Sequence, residues 1–330
     1  MLQKPFYPMT RRKALSAIGA FTTAPLVKAQ TDAYPNRPIK LILGFPPGGP
    51  NDIVARVLGI KLGDILGKTI VIDNRPGAIG TIATKAVVNS PADGYTLLYT
   101  STTFVLAAAL RSSLPFDPIK DLSPVVATVA APMVLMVHPA LPCRTVDDFI
   151  AYVKANPGKL SFASGGNGSI THVAPVQLLH HSGLDAIHIP YKGSSPAMID
   201  LAGGQVQFAM DASNSAMPFI RDGRLRAIAV TSRNRLSALP QIPTIAESWI
   251  PNYEAIAWQG VMAPSKTPPI IVNRLNSAII QALMQDGVRE KLQELGIDVI
   301  GGSPQSFAAL VNSEIERWSK VGKQANIVMD

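Results

Sequence analysis

The strongest constraint on the fold is the alternation of short β-branched runs with amphipathic stretches along most of the chain. In the first unit, residues 38–45 read as a strand, residues 46–50 form a glycine-proline turn, and a helix starts at Asn51. Apolar residues recur along this helix at the spacing of one buried face. Repeated units of this kind predict an α/β fold with a mainly parallel sheet covered on both faces by helices.

The length of 330 residues is sufficient for two lobes, each with its own core. The β-rich stretch from Leu122 to His138 is longer than an ordinary strand, so we expect it to cross from one lobe to the other. Strands between residues 160 and 230 would build the second lobe, and the later segments would return to the first. The predicted organisation is lobe 1 at residues 30–130 and 256–330 and lobe 2 at residues 131–255, with two crossing strands and a cleft between the lobes.

The first 29 residues have the pattern of an export signal. A basic run at residues 11–13 precedes a modestly apolar stretch at residues 14–27, and small residues indicate cleavage near Ala29. The paired arginines fit a twin-arginine signal and also an ordinary secretory signal, so the route stays open. Either route predicts a periplasmic protein, and no later segment is apolar over the length that a membrane-spanning helix needs.

The charge of the chain argues against a polyanionic partner. The formal net charge is +8, from 30 basic and 22 acidic residues. Five of the basic residues and none of the acidic ones lie in residues 1–30, so the remainder has 25 basic and 22 acidic residues, a net charge of +3. The remaining bases are scattered, and we therefore expect no nucleic-acid interface.

Three glycine-rich turns each follow a predicted strand and precede a predicted helix. They lie at residues 46–52, 164–172 and 191–197. At the carboxyl ends of strands, bare backbone amides and helix N-termini offer a binding site for an anion without a formal positive charge. We therefore expect these turns to line a carboxylate site, with Asp52 serving either the ligand or the start of its own helix.

The sequence gives little support to catalysis or metal binding. Ser164 or Ser169 with His172 and Asp211 would make a hydrolase triad, but no Gly-x-Ser-x-Gly elbow surrounds any serine. The histidines do not have metal-ligand spacing, and the single cysteine, Cys143, permits no intrachain disulfide and no cysteine-based metal site. We expect no enzyme activity, no cofactor and no metal.

Several motifs in order along the chain resemble the Bug-type receptors of tripartite tricarboxylate transporters. The residues that carry the resemblance are Phe45–Gly49, Asp73–Ala78, Asp93–Leu98, Pro115–Asp117, Ser164–His172, Pro190–Gly193, Pro243–Thr244 and Trp258–Gly260. Each motif is weak alone, whereas the ordered set is specific.

This resemblance implies a type II periplasmic-binding-protein fold that holds a small organic acid between its lobes, without catalysis. It implies a monomer and membrane permease subunits as partners; a sensor read by a signalling kinase and an extracytoplasmic enzyme are the alternatives. The ligand class stays open among dicarboxylates, tricarboxylates, aromatic carboxylates and amino acids. The predicted ligand-binding residues are Pro47, Gly48, Gly49, Asp52, Ala78, Ser101, Thr102, Ser164, Gly165, Ser169, His172, Tyr191 and Asp211.

Two segments depart from the pattern of the family on the ligand side. Ile79 stands where the family usually has a smaller residue, and residues 101–104 replace a run that usually contains asparagine. Arg75 suits a carboxylate clamp and equally an ion pair that stiffens its loop. Asp211, after a predicted strand, would favour ligands with an amine or a hydroxyl.

Overall fold

The computed structural model describes residues 1–3 and 34–324. The predicted export signal, with its cleavage near Ala29, therefore lies outside the described residues apart from the first three. The described residues from Tyr34 onward form one compact unit. Within the described part, no helix is both long and apolar enough to cross a membrane.

Ten strands form the sheet of this unit, in the spatial order β2-β1-β3-β9-β4-β7-β5-β6, with β10 and β8 also paired to β4. The strands are β1 (Ile39–Leu43), β2 (Ile70–Asn74), β3 (Thr96–Ser101), β4 (Leu122–Val137), β5 (Ser161–Ser164), β6 (Ile187–Pro190), β7 (Phe208–Ala212), β8 (Arg226–Val230), β9 (Ile256–Pro264) and β10 (Asp298–Gly301).

The expectation of a mainly parallel sheet is wrong for its centre. Parallel pairs are confined to β1 with β2 and β3, and to β5 with β6 and β7. Every pair made by β4 or β9 is antiparallel. These strands enter the sheet in the opposite direction to their neighbours, and antiparallel pairs need no helical crossover of the βαβ kind.

Strand β4 belongs to two sets of strands. Its residues 122–132 pair with β9, and residues 127–130 also pair with β10. Its residues 133–137 pair instead with β7 and β8. We call β1, β2, β3, β9 and β10 the first strand set and β5 to β8 the second strand set; β4 runs through both.

Thr231 joins the two connections between the strand sets. Its side chain is fully buried, and its Oγ1 accepts a hydrogen bond from the Met133 amide of β4 at 2.8 Å. The same hydroxyl lies within hydrogen-bond distance of the Ala255 carbonyl, one residue before β9. The two connections are therefore held side by side.

Eleven helices cover the sheet in the described residues. They are α1 (Pro50–Leu66), α2 (Thr81–Val88), α3 (Thr102–Leu110), α4 (Val146–Ala155), α5 (Ile170–His181), α6 (Ser194–Ala202), α7 (Ser213–Arg221), α8 (Ile245–Ser248), α9 (Pro269–Leu283), α10 (Asp286–Glu294) and α11 (Pro304–Gln324). Helices α9 and α11 pack on β4, and α9 also packs on α1, so the end of the chain returns to the first strand set.

Candidate ligand-binding cleft

A cavity lies where the carboxyl ends of β1, β3, β5 and β7 meet. Its free volume, including the mouth open to solvent, is about 540 Å³. We call it the inner cavity. Its lining consists of Phe45, Pro46, Gly49, Pro50, Asn51, Ser101, Thr103, Gly165, Ser169, Ile170, Thr171, Ser194, Asp211, Ala212, Ala257 and Gln259.

Five helices start at this cavity: α1, α3, α5, α6 and α7. The residue before each helix, or the first residues of the helix, belong to the cavity lining. The preceding residue makes no side-chain cap hydrogen bond in any of the five; these residues are Gly49, Ser101, Ser169, Gly193 and Ala212.

The other helix starts that we compare are either capped by a side chain or lie outside the inner cavity. Helices α4 and α8 begin away from the cavity, and both have a complete capping box, built by Thr145 with Asp148 and by Thr244 with Glu247. Helices α9 and α10 lack side-chain caps as well, but they start outside the cavity. What distinguishes the inner cavity is therefore the convergence of five positive helix ends on one space. First-turn amides without a side-chain cap and the positive ends of the helix dipoles favour an anion there.

Asp211 is the only charged side chain among the residues that line the inner cavity. It is 2% exposed, and its Oδ1 accepts hydrogen bonds from the Ala212 amide and from Ser215 Oγ, both at 2.7 Å. Burial raises the pKa of the carboxyl, although these hydrogen bonds and one from Ser194 act in the opposite direction. Burial thus shifts Asp211 toward its neutral form, which does not repel a bound carboxylate.

Asn51 adds a hydrogen-bond donor to the cavity wall. Its side chain is 6% exposed, and its Nδ2 is buried without a hydrogen-bond partner within the described residues. A buried amide with no partner is costly, and a ligand acceptor would satisfy it. Its neighbour Pro50 accepts a hydrogen bond at 2.8 Å from Nδ2 of Asn214, which lies on α7. The start of α1 is thereby joined to the second strand set.

A second cavity, the outer cavity, adjoins the first at Phe45, Pro46 and Gly165, which line both. Its free volume, including open solvent, is about 1070 Å³. The remaining lining residues are Gly44, Pro76, Gly77, Ala78, Ile79, Gly166, Tyr191 and Lys192.

The backbone of the outer cavity is strained at Ala78 and Ile79. Their φ angles are 45° and 56°, in the left-handed region that a β-branched residue rarely adopts. Each such residue costs about 1–3 kcal/mol. The following Gly80 packs so closely on Gly44 that a side-chain carbon on Gly44 would overlap Gly80 Cα. This contact, backbone against backbone, fixes the strained turn beside the end of β1.

The wall formed by residues 164–172 is braced by two histidines behind it. Ser164 Oγ lies 2.6 Å from His188 Nε2, and the Gly168 amide donates to His172 Nδ1 at 3.0 Å. The two imidazole rings stack with their centroids 3.9 Å apart, and Phe162 stacks on His188 at 4.9 Å. The histidines therefore hold the turn in place and do not line either cavity.

The histidine pair predicts a dependence of stability on pH. Burial, and then the nearby His172, lower the pKa of His188 to about 4, below its ordinary value of 6.5. Above pH 6.5 neither the folded nor the unfolded chain protonates His188, so its contribution to stability is complete. Between pH 6.5 and about 4 the unfolded chain binds a proton that the folded protein does not, and stability falls.

On acidification from pH 7 to pH 4.5, we expect His188→Gln to lose about 1 kcal/mol less stability than the wild type. The figure is kept small because His188 is partly exposed to solvent. Urea unfolding of both proteins at pH 7 and pH 4.5 measures the difference. Glutamine keeps a polar partner for Ser164, so the two proteins should be similar at pH 7. An equal loss of stability in both proteins on acidification would contradict this role of His188.

A family model described as the tripartite tricarboxylate transporter family receptor matches residues 54–327. The chain belongs to this receptor family. The receptor is 39% identical over 318 residues to Protein BugT of Bordetella pertussis, covering 96% of this chain and 98% of BugT. Its fold and family are those of solute-binding receptors rather than enzymes.

Solved structures of other receptors share the fold. The periplasmic binding protein BugD is 33% identical, with a TM-score of 0.87 over 90% of this chain and all of BugD. Rpa4515 of R. palustris, solved with adipate, is 36% identical, with a TM-score of 0.87 over 89% of this chain and 99% of that protein. MatC from Rhodopseudomonas palustris, solved with bound malate, is 33% identical, with a TM-score of 0.83 over 87% of this chain and 99% of MatC. These matches confirm the predicted α/β periplasmic-binding-protein fold.

The structure brings some of the predicted ligand residues of the receptor together and leaves others outside the cavities. Gly49, Ser101, Gly165, Ser169 and Asp211 line the inner cavity. Ala78 and Tyr191 line the outer cavity, which Gly165 also borders. The residues that line neither cavity are Pro47, Gly48, Asp52, Thr102, Ser164 and His172.

Several of these residues outside the lining have partners within the protein. The Asp52 carboxylate accepts a hydrogen bond from the Gly48 amide at 3.0 Å and forms an ion pair with Arg56 at 2.8 Å. Thr102 Oγ1 accepts from the Trp258 amide at 2.9 Å. These side chains therefore hold segments that lie beside the inner cavity. Arg75, in turn, pairs with Asp73 at 2.8 Å and lines neither cavity.

The hydrolase triad considered from the sequence is not assembled by the hydrogen bonds of the described residues. Ser164 contacts His188, His172 accepts from Gly168, and Asp211 accepts from Ser215. Among the described side chains, no three His, Cys, Asp or Glu residues are grouped in a way that could hold a metal ion.

Sequence reasoning missed five polar residues of the inner cavity, namely Asn51, Thr103, Thr171, Ser194 and Gln259. Asn51 and Ser194 lie inside the glycine-rich turns. Their position at the start of a predicted helix could have identified them as residues of the site. Gln259 lies within the Trp258–Gly260 motif and is 1% exposed, with its Oε1 accepting from the Tyr99 hydroxyl at 2.9 Å. Its position beside the cavity depends on the pairing of β9 with β3 and β4, which no local pattern reveals.

Proposed function

We propose that this protein is a periplasmic receptor that binds a small organic carboxylate in the inner cavity and presents it to a tripartite tricarboxylate-type permease. The observation that carries the proposal is the convergence of five helix N-termini without side-chain caps on a cavity that contains no Lys, Arg or His. Backbone amides and helix dipoles then supply the attraction for the anion. The adipate and malate found with two relatives support the same ligand class.

In this proposal the carboxylate contacts both strand sets. Amides at the start of α1 and the side chain of Asn51 bind it from one side. The turn of Gly165 and Ser169, with the start of α6, binds it from the other. A ligand that bridges both sides stabilises the closed arrangement, which a membrane partner can recognise.

The lobes of the proposed receptor are residues 30–130 with 256–330 and residues 131–255. The change of β4 partners between Pro132 and Met133 supports the first boundary. The contact of Ala255 with Thr231, immediately before β9, supports the second. Residues 1–29 are proposed to direct export to the periplasm and to be removed near Ala29, leaving a monomer as the working form.

A thermal-shift screen of residues 30–330 tests the proposal. We would use malate, succinate, adipate, suberate and phenylacetate, with putrescine and glucose as cationic and neutral controls. An acid at a hundredfold excess over its dissociation constant adds about 2.7 kcal/mol of stability. This corresponds to a rise of roughly 4 °C in melting temperature for a chain of this length. Stabilisation by at least one acid and by neither control is the expected result; no shift with any acid would contradict the proposal.

A further inference from the structure

The outer cavity differs in chemistry from the inner cavity. Its side chains are mainly apolar and include Phe45, Pro46, Pro76 and Ile79. The only charged side chain in its lining is Lys192, which is exposed at the protein surface. The inner cavity therefore suits the anionic group of a ligand. The outer cavity suits the apolar part of a ligand, because apolar surface is more stable out of water.

Ile79 occupies the point where this apolar surface continues into the protein. Besides the outer cavity, it lines a smaller pocket of about 330 Å³ that also contacts Phe104 and Phe116. These two rings stack with their centroids 6.2 Å apart. Ile79 thus lies, with Phe45, between the open apolar wall and this aromatic pair, of which Phe104 is buried and Phe116 partly buried.

The backbone at this position would be easier to form with glycine. Ile79 has φ 56° and ψ 43°, a conformation that glycine adopts freely and isoleucine adopts at a cost. A strained residue that borders a ligand space points to a use for its side chain. At Ile79 the side chain contributes apolar surface that glycine would not.

The two cavities adjoin each other, since Phe45, Pro46 and Gly165 line both of them. A ligand that extends past this shared wall would have its carboxylate in the inner cavity and its remaining part in the outer cavity. The part of the ligand beyond the carboxylate would then contact Ile79.

We propose that Ile79 is a specificity-determining residue that selects carboxylates with an apolar body, an aromatic ring or a hydrocarbon chain, over short hydrophilic acids. This inference rests on the proposed function of the inner cavity as a carboxylate site. Each methylene group that leaves water for the outer cavity should increase affinity about fourfold.

Calorimetric titrations of residues 30–330 with malate, succinate, suberate and phenylacetate test the inference. The wild-type protein should bind suberate and phenylacetate at least tenfold more tightly than malate and succinate. Ile79→Gly should weaken suberate and phenylacetate about tenfold, because contact with the side chain is lost, and change malate and succinate less than twofold. Ile79→Val, which keeps a branched apolar side chain, should retain most of the preference.

The control variant is Ile119→Gly, at an exposed turn outside the linings of both cavities, and it should leave all affinities unchanged. Melting temperatures separate binding from folding, because glycine at position 79 relieves the left-handed strain and should not destabilise the protein. Tighter binding of malate or succinate by the wild type, or an equal loss for all four acids in Ile79→Gly, would overturn the inference and leave the carboxylate site standing. Absence of binding by every acid would overturn the proposed function and the inference together.

Discussion

Replacing Gly49 by leucine should weaken binding of every acid at least a hundredfold while leaving the protein folded. Gly49 lines the inner cavity at the start of α1, and a side-chain carbon built on it meets only the Pro46 carbonyl oxygen, at 3.6 Å. Its φ of −81° and ψ of 172° are accessible to any residue. Leucine would therefore occupy the ligand space without straining the backbone. Titration with the acids found in the thermal-shift screen measures the loss.

The matched control for this substitution is Gly287→Leu. Gly287 lies on α10, and a side-chain carbon built there has no atom within 4 Å. Both variants should melt within a few degrees of the wild type. Leucine in place of glycine before a helix, as at Gly49, costs about 1 kcal/mol or less, and leucine is the better helix former at Gly287. Unchanged acid binding by Gly49→Leu would place the ligand elsewhere than in the inner cavity.

Gly193→Ala should prevent closure of the cleft and weaken acid binding by at least tenfold. A side-chain carbon at Gly193 would lie 2.7 Å from Cδ of Pro46, which belongs to the turn after β1. The φ of 128° and ψ of 168° at this position are nearly exclusive to glycine, so strain adds to the overlap. The overlap is relieved if the two sides of the cleft separate. Small-angle scattering with and without the best-binding acid of the screen should show compaction in the wild type and none in the variant.

Two further variants distinguish the effect of the overlap with Pro46 on cleft closure from the effect of backbone strain at the new alanine. Gly183→Ala introduces alanine at a φ of 61° where no atom lies within 4 Å of the new carbon, and it should bind acids normally. Adding Pro46→Ala to Gly193→Ala removes the overlapping atom and should restore part of the compaction. Full compaction of Gly193→Ala with acid would show that this contact does not limit closure.

Much of the fold could be predicted from local patterns, because the turn after β1 separates a strand from a helix with one apolar face, and the glycine-rich turn after β5 separates a second strand from a second helix. Two of the five helices at the inner cavity could not be predicted. Helix α3 is apolar on every side and almost wholly buried, so it has no polar face to give a helical period. Helix α7 begins with Ser213, Asn214 and Ser215 and contains Pro218, residues that argue against a helix.

The site was harder to predict than the fold because its geometry depends on long-range contacts. His172 and His188 are brought together by the pairing of β5 with β6 and the packing of α5, and no spacing in the sequence indicates that they stack. The absence of Thr102 from the cavity linings has the same origin, because its hydroxyl accepts a hydrogen bond from the Trp258 amide of β9. Asp52 instead has local partners, the Gly48 amide and Arg56 one helical turn away.

The most direct test of the central claim compares each acid of the screen with its methyl ester by calorimetric titration of residues 30–330. An ester keeps the carbon skeleton and removes the negative charge that the five helix N-termini are proposed to bind. We expect methylation of every carboxylate of the ligand to weaken binding at least a hundredfold for each acid. Equal affinity for the acids and their esters would contradict an anion site built from helix N-termini.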